Sequence, residues 1–262
     1  MEDKIAIVVS NANEGVSVYE TIDAIKEAGF KNVFIQWYNR NWNPTQEEQL
    51  KYIKEKGLNI IFAHLGYSNI NSIWLDSNIG DDVIESYKND INILVENGIN
   101  LFVMHLSRTF NPPIYNEIGL KRIKELVNYA KEKNAKIAFE NVETKGYIEY
   151  VFDNIDSDNI GLCFDSGHFH TFYKDKFDMS KFNNKILAVH LHDNFQTGDF
   201  HLIPFDGSND WNKIINILNS NNYNGYITME QCYRNNYLDI SINEFYKKSF
   251  EIGKKLLDMK EK

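Results

Sequence analysis

No segment of this chain stays apolar for the roughly 20 residues that a membrane-spanning helix requires, so no helical span is expected. Cysteine is nearly missing. The two present, Cys163 and Cys232, fall in or beside apolar strand-like segments. Two cysteines make no disulfide framework, and buried thiols are the expected reading. The start, Met1-Glu2-Asp3-Lys4, leads at once into an apolar segment. That leaves no room for a signal peptide and makes the cytoplasm the expected location. Lysine and arginine form no block and no stripe interleaved with aromatics, and the formal net charge is −9. This balance argues against a broad nucleic-acid surface while leaving room for a local basic mouth. Linkers and low-complexity tracts are missing too, so residues 1–262 read as one domain. The first turn, Ser10-Asn11-Ala12-Asn13-Glu14-Gly15, lacks the G-x-G-x-x-G of dinucleotide-binding folds.

What is present is an eightfold alternation of short apolar strands with amphipathic helices. Strands are predicted at 5–10 and 32–37, then in segments ending at His64, His105, Glu140, Asp165, His192 and Glu230. Helices are predicted at 17–28, 44–56, 81–96, 116–133, 147–154, 179–182, 210–219 and 242–257. Pro44 suits a first helical turn and Gly57 a stop. Alternation of this kind implies parallel βαβ units, and eight of them imply a closed (β/α)8 TIM barrel.

Six apolar runs end on a residue able to bind a metal: His64, His105, Glu140, Asp165, His190 and Glu230. A strand buried in a core prefers an apolar terminus, so polar ends in one register are hard to explain by packing. In a parallel barrel all strand ends meet at one mouth, and these side chains are expected to converge there. Glu140, Asp165, His190 and Glu230 offer three carboxylates and one imidazole. That set suits Mn, Mg, Co, Fe or Zn and contains no thiolate that would force zinc. His168, Asp199 and His201 lie just beyond the strand ends, which brings the candidates to nine, enough for two or three metals. Taken singly, each has a plainer reading: a lone histidine is more often hydrogen-bonded in a core, and a lone Glu140 pairs with a lysine. The grouping at one end of one barrel argues for the ligand reading. His192 and His170 are expected to be structural, and Asp193 to orient a loop or cap a turn.

At these residues the sequence resembles the xylose isomerase-like, endonuclease IV-like (AP endonuclease family 2) TIM-barrel superfamily. The resemblance covers essentially the whole chain. It rests on Phe139-Glu140-Asn141, Asp165-Ser166-Gly167-His168, His190-Leu191-His192-Asp193-Asn194 through Asp199-Phe200-His201-Leu202-Ile203-Pro204, and Gly225 through Glu230. Two sets of roles follow from it. In ketose 3-epimerases and related isomerases, residues matching Glu140, Asp165, His190 and Glu230 hold one divalent metal. The two glutamates move the proton, and the match of His168 contacts substrate. In the endonuclease IV branch three zinc ions use all nine positions: His64 and His105 with a shared Glu140, then Asp165, His190 and Glu230, then His168, Asp199 and His201. The flanking residues favour the first set. The endonuclease branch has Asn-Asp-Ser-Lys where this chain has His192-Asp193-Asn194-Phe195, and Thr-Cys-His where it has Ser166-Gly167-His168.

The resemblance therefore implies a divalent-metal isomerase or epimerase acting on a sugar, sugar phosphate or related polyol. The cofactor would be one to three ions of Mn, Zn, Mg or Co. Glu140 and Glu230 would be acid and base, Asp165 and His190 ligands, and His168 a substrate contact or further ligand. Trp37, Tyr67, Trp74 and Phe110 are expected to wall the mouth, with Trp37 and Tyr67 touching substrate. Arg40 and Arg108 are the arginines expected near the mouth on its early strands, with Arg234 after the eighth. The alternatives are a multinuclear zinc phosphodiesterase acting on abasic-site DNA and a non-catalytic metal- or carbohydrate-binding barrel. The sequence leaves the sugar, the metal and the oligomeric state open.

Overall fold

The computed structural model describes residues 4–38 and 42–261. Arg40 and the first three residues lie outside the described residues. Eight strands follow one another in parallel: β1 (Ile5–Val9), β2 (Asn32–Trp37), β3 (Asn59–Leu65), β4 (Leu101–Met104), β5 (Lys136–Glu140), β6 (Ile160–Asp165), β7 (Ile186–His190) and β8 (Ile227–Met229). The sheet runs β7-β6-β5-β4-β3-β2-β1-β8. Leu191 N donates to the Thr228 carbonyl (2.9 Å) and Glu230 N to the Leu191 carbonyl (3.1 Å), which joins β7 to β8 and closes the ring. The chain is a (β/α)8 barrel.

The helices are α1 (Val18–Ala28), α2 (Gln46–Glu55), α3 (Asn78–Glu96), α4 (Glu117–Glu132), α5 (Tyr147–Asn154), α6 (Ser166–Thr171), α7 (Trp211–Ser220) and α8 (Ile242–Lys260). Their starts are written locally. Ser17, Thr45 and Ser241 each accept from the backbone three residues on, where Glu20, Glu48 and Glu244 reach back in capping boxes. Thr45 is therefore the cap of α2, and Pro44 stands before it rather than in the first helical turn. Asn116 caps α4 through the amides of Ile118 and Gly119. No described helix is long and apolar enough to cross a membrane.

The sixth unit departs from expectation. The sequence places its helix at 179–182, where the chain makes a 3-10 turn, Met179–Phe182. A true helix starts immediately after β6, because the Asp165 carboxylate accepts from His168 N at 2.6 Å and serves as its N-cap. Ser-Gly-His-Phe-His-Thr carries no apolar stripe, so periodicity cannot reveal it.

Two apolar layers follow from the strand period of two. Side chains that face out, such as Ile7, Ile35, Leu65 and Met104, pack under the helices in a large continuous core. Side chains that face in form a small plug: Val8, Phe34, Phe62, Val103, Ala138, Cys163 and Ala188. Phe34 stacks on Phe62 with ring centroids 4.6 Å apart, and this plug is the floor on which the site stands.

Candidate metal centre at the barrel mouth

Two residues after each plug residue the chain places a polar side chain on the same inward face. Val8 gives Ser10, Phe34 gives Gln36, Phe62 gives His64 and Val103 gives His105. Ala138 gives Glu140, Cys163 gives Asp165 and Ala188 gives His190. The polar ring is therefore the next layer of the barrel interior. His190 lies on the plug, stacked on Phe34 at 5.1 Å with an interplanar angle of 13°.

Glu140 is the hub. Its Oε2 lies 3.1 Å from His64 Nε2 and 3.2 Å from His105 Nε2, and its Oε1 lies 3.2 Å from His168 Nδ1 and 3.4 Å from His190 Nδ1. His190 Nδ1 is also 3.4 Å from Glu230 Oε2 and 3.8 Å from Asp165 Oδ2. Ligand atoms of Glu140, Asp165, His190 and Glu230 all fall within 4.8 Å of one another, and all four residues are buried. Among the described residues neither ring nitrogen of His190 makes a hydrogen bond of ordinary geometry, although the ring has no exposed surface and the Cys163 thiol lies against it. Buried polar atoms are ordinarily paired. An unpaired imidazole nitrogen aimed at three buried carboxylates is the arrangement a divalent cation completes, and this hard-oxygen set fits such an ion.

The electrostatics agree with that fit. Burial pushes the Glu140 carboxyl up, yet the His190 and His105 rings outweigh it and hold Glu140 well below the usual carboxylate range. Asp165 is lowered in the same way: His168 and His192 overcome its burial. Burial opposes the charge on His168, and Asp165 and Asp199 overcome it and raise that ring. The neighbouring rings hold these carboxylates low, and a divalent cation would do so from a single point.

The remaining candidates gather alongside. His201 Nε2 stands 3.1 Å from Asp199 Oδ2, which is 3.5 Å from His168 Nε2. His192, expected to be structural, belongs to this group. It sits two residues past His190, so the strand period returns it to the same face. Its Nε2 lies 3.0 Å from Asp165 Oδ2, and its ring stacks on His201 at 4.1 Å. It joins Asp165 and His168 in one possible ligand group, and His201 and Glu230 in another. His170 instead spans Asp175 Oδ1 (3.0 Å) and Ser208 Oγ (2.8 Å), tying α6 to the loop after β7.

That loop is shaped by Asp193 and Asn194. The Asp193 carboxylate accepts from the amides of Asn194, Phe205 and Asn209 and from Trp211 Nε1, all within 3.0 Å. Asn194 Oδ1 accepts from Phe200 N (2.5 Å) and His201 N (3.2 Å), and its amide donates to Asp199 Oδ1 (3.2 Å). These two residues hold Asp199 and His201 over the mouth. At the ends of the neighbouring strands β5 and β6, Asn141 exchanges two hydrogen bonds with the Asp165 backbone, at 2.7 and 2.9 Å.

Above the cluster is an open cavity of about 290 Å³, lined by Gln36, Tyr38, Tyr67, Arg108, Phe110 and Phe172 together with His64, His105, Glu140, His168, Asp199, His201 and Glu230, while Asp165 and His190 lie beneath it. Tyr67 stacks on His105 at 4.2 Å, and Phe110 meets Phe172 edge to face at 6.0 Å. Two of the four expected wall residues are elsewhere. Trp37 alternates outward from Gln36 and donates Nε1 to Asp90 Oδ1 of α3 at 3.0 Å. Trp74 is buried against α4, where Gly119 has no Cβ to displace its ring, and donates to the Leu106 carbonyl at 2.6 Å. Gln36 and Tyr38 take Trp37's place at the mouth, and strict alternation along β2 was the signal for them. Arg234 is not among the described lining residues.

Comparison with known proteins gives the same architecture. A protein of unknown function from Sinorhizobium fredii is 24% identical over 94% of this chain and 90% of its own length. The inosose dehydratase of Clostridium perfringens is 29% identical across 45% of this chain and 48% of its own length. A D-tagatose 3-epimerase-like protein superposes with a TM-score of 0.72 at 20% identity, covering 98% of both chains. The IolI protein, solved with a zinc atom bound, superposes with a TM-score of 0.73 at 16% identity, again over 98% of both. These likenesses establish a shared fold. The sequence model described as the xylose isomerase-like TIM barrel matches residues 22–256, and the chain belongs to that family.

Proposed function

We propose that this protein is a divalent-metal-dependent isomerase or epimerase of a small sugar, sugar phosphate or related polyol. The observation that carries the proposal is the meeting of Glu140, from β5, and Glu230, at the end of β8, on one buried imidazole beneath a small open cavity. Glu140, Asp165, His190 and Glu230 would hold the ion. When bound, such an ion polarises substrate oxygens and makes the C–H beside a carbonyl more acidic. The protein supplies the rest. Glu140 and Glu230 approach from strands well separated around the barrel, so one carboxylate takes the proton and the other returns one from another direction. His168, raised toward its charged form, donates to a substrate oxygen. Tyr38, Tyr67, Phe110 and Phe172 limit water at the reacting carbon. The cavity lies at the lower end of the ~300–1,000 Å³ typical of small-molecule sites, which suits a monosaccharide. The relatives whose names speak of sugar epimerisation and inosose chemistry support the same reading.

The test is turnover by metal-loaded protein on a panel of ketoses, ketose phosphates and inososes. Glu140→Gln and Glu230→Gln should each lower the rate by about 10²–10⁴, the usual contribution of general acid–base catalysis. Full activity in either variant would refute its assignment.

A second reading is favoured by the flanking ligand groups, His64 and His105 on Glu140 and the His168–Asp199–His201 trio. It is a multinuclear phosphodiesterase acting on abasic-site DNA. Three metals per chain and nicking of such DNA would establish it. Against it, Arg108 is the only lysine or arginine among the described lining residues, whereas duplex DNA is held by many such contacts.

A further inference from the structure

Among the described residues, the lining of the mouth carries one permanent cation that the proposed chemistry does not use. Arg108 lies on the loop after β4, and among the described residues no carboxylate pairs with its guanidinium. Its side chain makes one hydrogen bond, Nη1 to the Ser68 carbonyl at 3.2 Å. The backbone beneath it is fixed, because Asn71 accepts from Arg108 N and donates to its carbonyl, both at 2.9 Å. The guanidinium carbon stands 5.7 Å over the Tyr67 ring, and Tyr67 is stacked 4.2 Å from His105, which touches Glu140. Cation, ring and imidazole form a ladder from the rim to the reacting centre. The guanidinium can be no farther from His105 than those two spacings added, so one small substrate with a charged group at its far end can touch both. Thr109, beside it, also lines the cavity and holds a left-handed backbone with φ of 70°, a conformation a β-branched residue rarely adopts outside constrained sites. The other charged lining groups are carboxylates and imidazoles, and Glu143 stands on the loop after β5.

We infer that the substrate carries an anionic group at the end remote from the reacting carbon, and that Arg108 is the residue that selects it. A phosphate ester or a carboxylate meets this description, since both accept paired guanidinium donors. The inference rests on the proposed isomerase or epimerase reading and narrows it to anionic sugars.

The experiment compares kcat/KM of the metal-loaded protein for three forms of each sugar: the neutral ketose, its terminal phosphate and the corresponding sugar acid. D-Ribulose with its 5-phosphate and D-fructose with its 6-phosphate are the first pairs. The anionic form should be preferred by about 10- to 100-fold, the range for a hydrogen-bonded charged group, with most of the difference in KM. Whether the phosphate or the acid is favoured identifies the group. Arg108→Gln should collapse the ratio toward one, and Arg108→Lys should restore part of it. Equal preference for neutral and anionic forms, or an Arg108→Gln ratio unchanged from the native protein, would overturn the inference while leaving the reaction intact. If no sugar turns over, the proposed reaction itself falls. Calorimetric titration with the same pairs then tests the site alone: tighter binding of the anionic partner that Arg108→Gln abolishes supports it, and equal binding overturns it.

Discussion

Asp90 offers a sharp quantitative test of the packing outside the barrel. Its carboxylate is 6% exposed on α3 and accepts one hydrogen bond, from Trp37. Burial pushes its pKa from 3.8 up to about 6, against the lowering effect of the indole N–H. The sign follows from proton counting. Between those two values the folded state binds more proton than the unfolded chain, so stability falls as pH rises through this window. Above about pH 6 the whole cost is present. A shift of that size corresponds to roughly 3 kcal/mol at 1.36 kcal/mol per unit. Asp90→Asn keeps an oxygen for Trp37 and carries no charge. The variant should therefore be more stable by about 3 kcal/mol at pH 7.5, seen as a rise in Tm of roughly 6–12 °C, with most of the gain gone at pH 4. Urea and thermal unfolding of both proteins at the two pH values measure it. A variant less stable than the native protein at both would show that Asp90 is ionised and well solvated, and the burial argument would fail.

Trp37→Phe removes the donor to Asp90 and should cost about 1–3 kcal/mol of stability while kcat/KM holds within about twofold; a selective loss of substrate binding would return Trp37 to the mouth. Gly167 touches the cluster without ligating, since a Cβ there would overlap the His192 ring and the Asn194 amide. Gly167→Ala should weaken metal binding in equilibrium dialysis although every ligand remains. Unchanged affinity would separate His192 from the site. Chelation should lower Tm, and metal at a hundredfold excess over its Kd should restore about 2.7 kcal/mol, or roughly 5–10 °C. A Tm indifferent to metal would argue against the centre.

The barrel was legible because the period of two recurs along the chain and a helical period of 3.6 follows it in every unit but the sixth. The mouth was legible because His64, His105, Glu140, Asp165 and His190 each follow an apolar run in one register. What failed shows where those signals end. Trp37 lies at the strand end but on its outward face, and its neighbours Gln36 and Tyr38 are the inward pair. His192 lies past the end of β7, where backbone pairing with Met229 at Leu191 prolongs the strand geometry. Trp74 depends on the absence of a Cβ at Gly119, forty-five residues away in sequence, which no local pattern records. The helix after β6 depends on a cap that also stands among the ligand candidates, so its carboxylate signalled metal and concealed the helix start.

Solvent exchange tests the central claim most directly. The metal-loaded protein would be incubated in deuterium oxide with the sugar that turns over, and the carbon beside the carbonyl followed by NMR. Proton transfer between Glu140 and Glu230 predicts deuterium at that carbon, and its loss in Glu230→Gln. Undiminished exchange in Glu230→Gln, or turnover with no deuterium incorporated by the native protein, would contradict it.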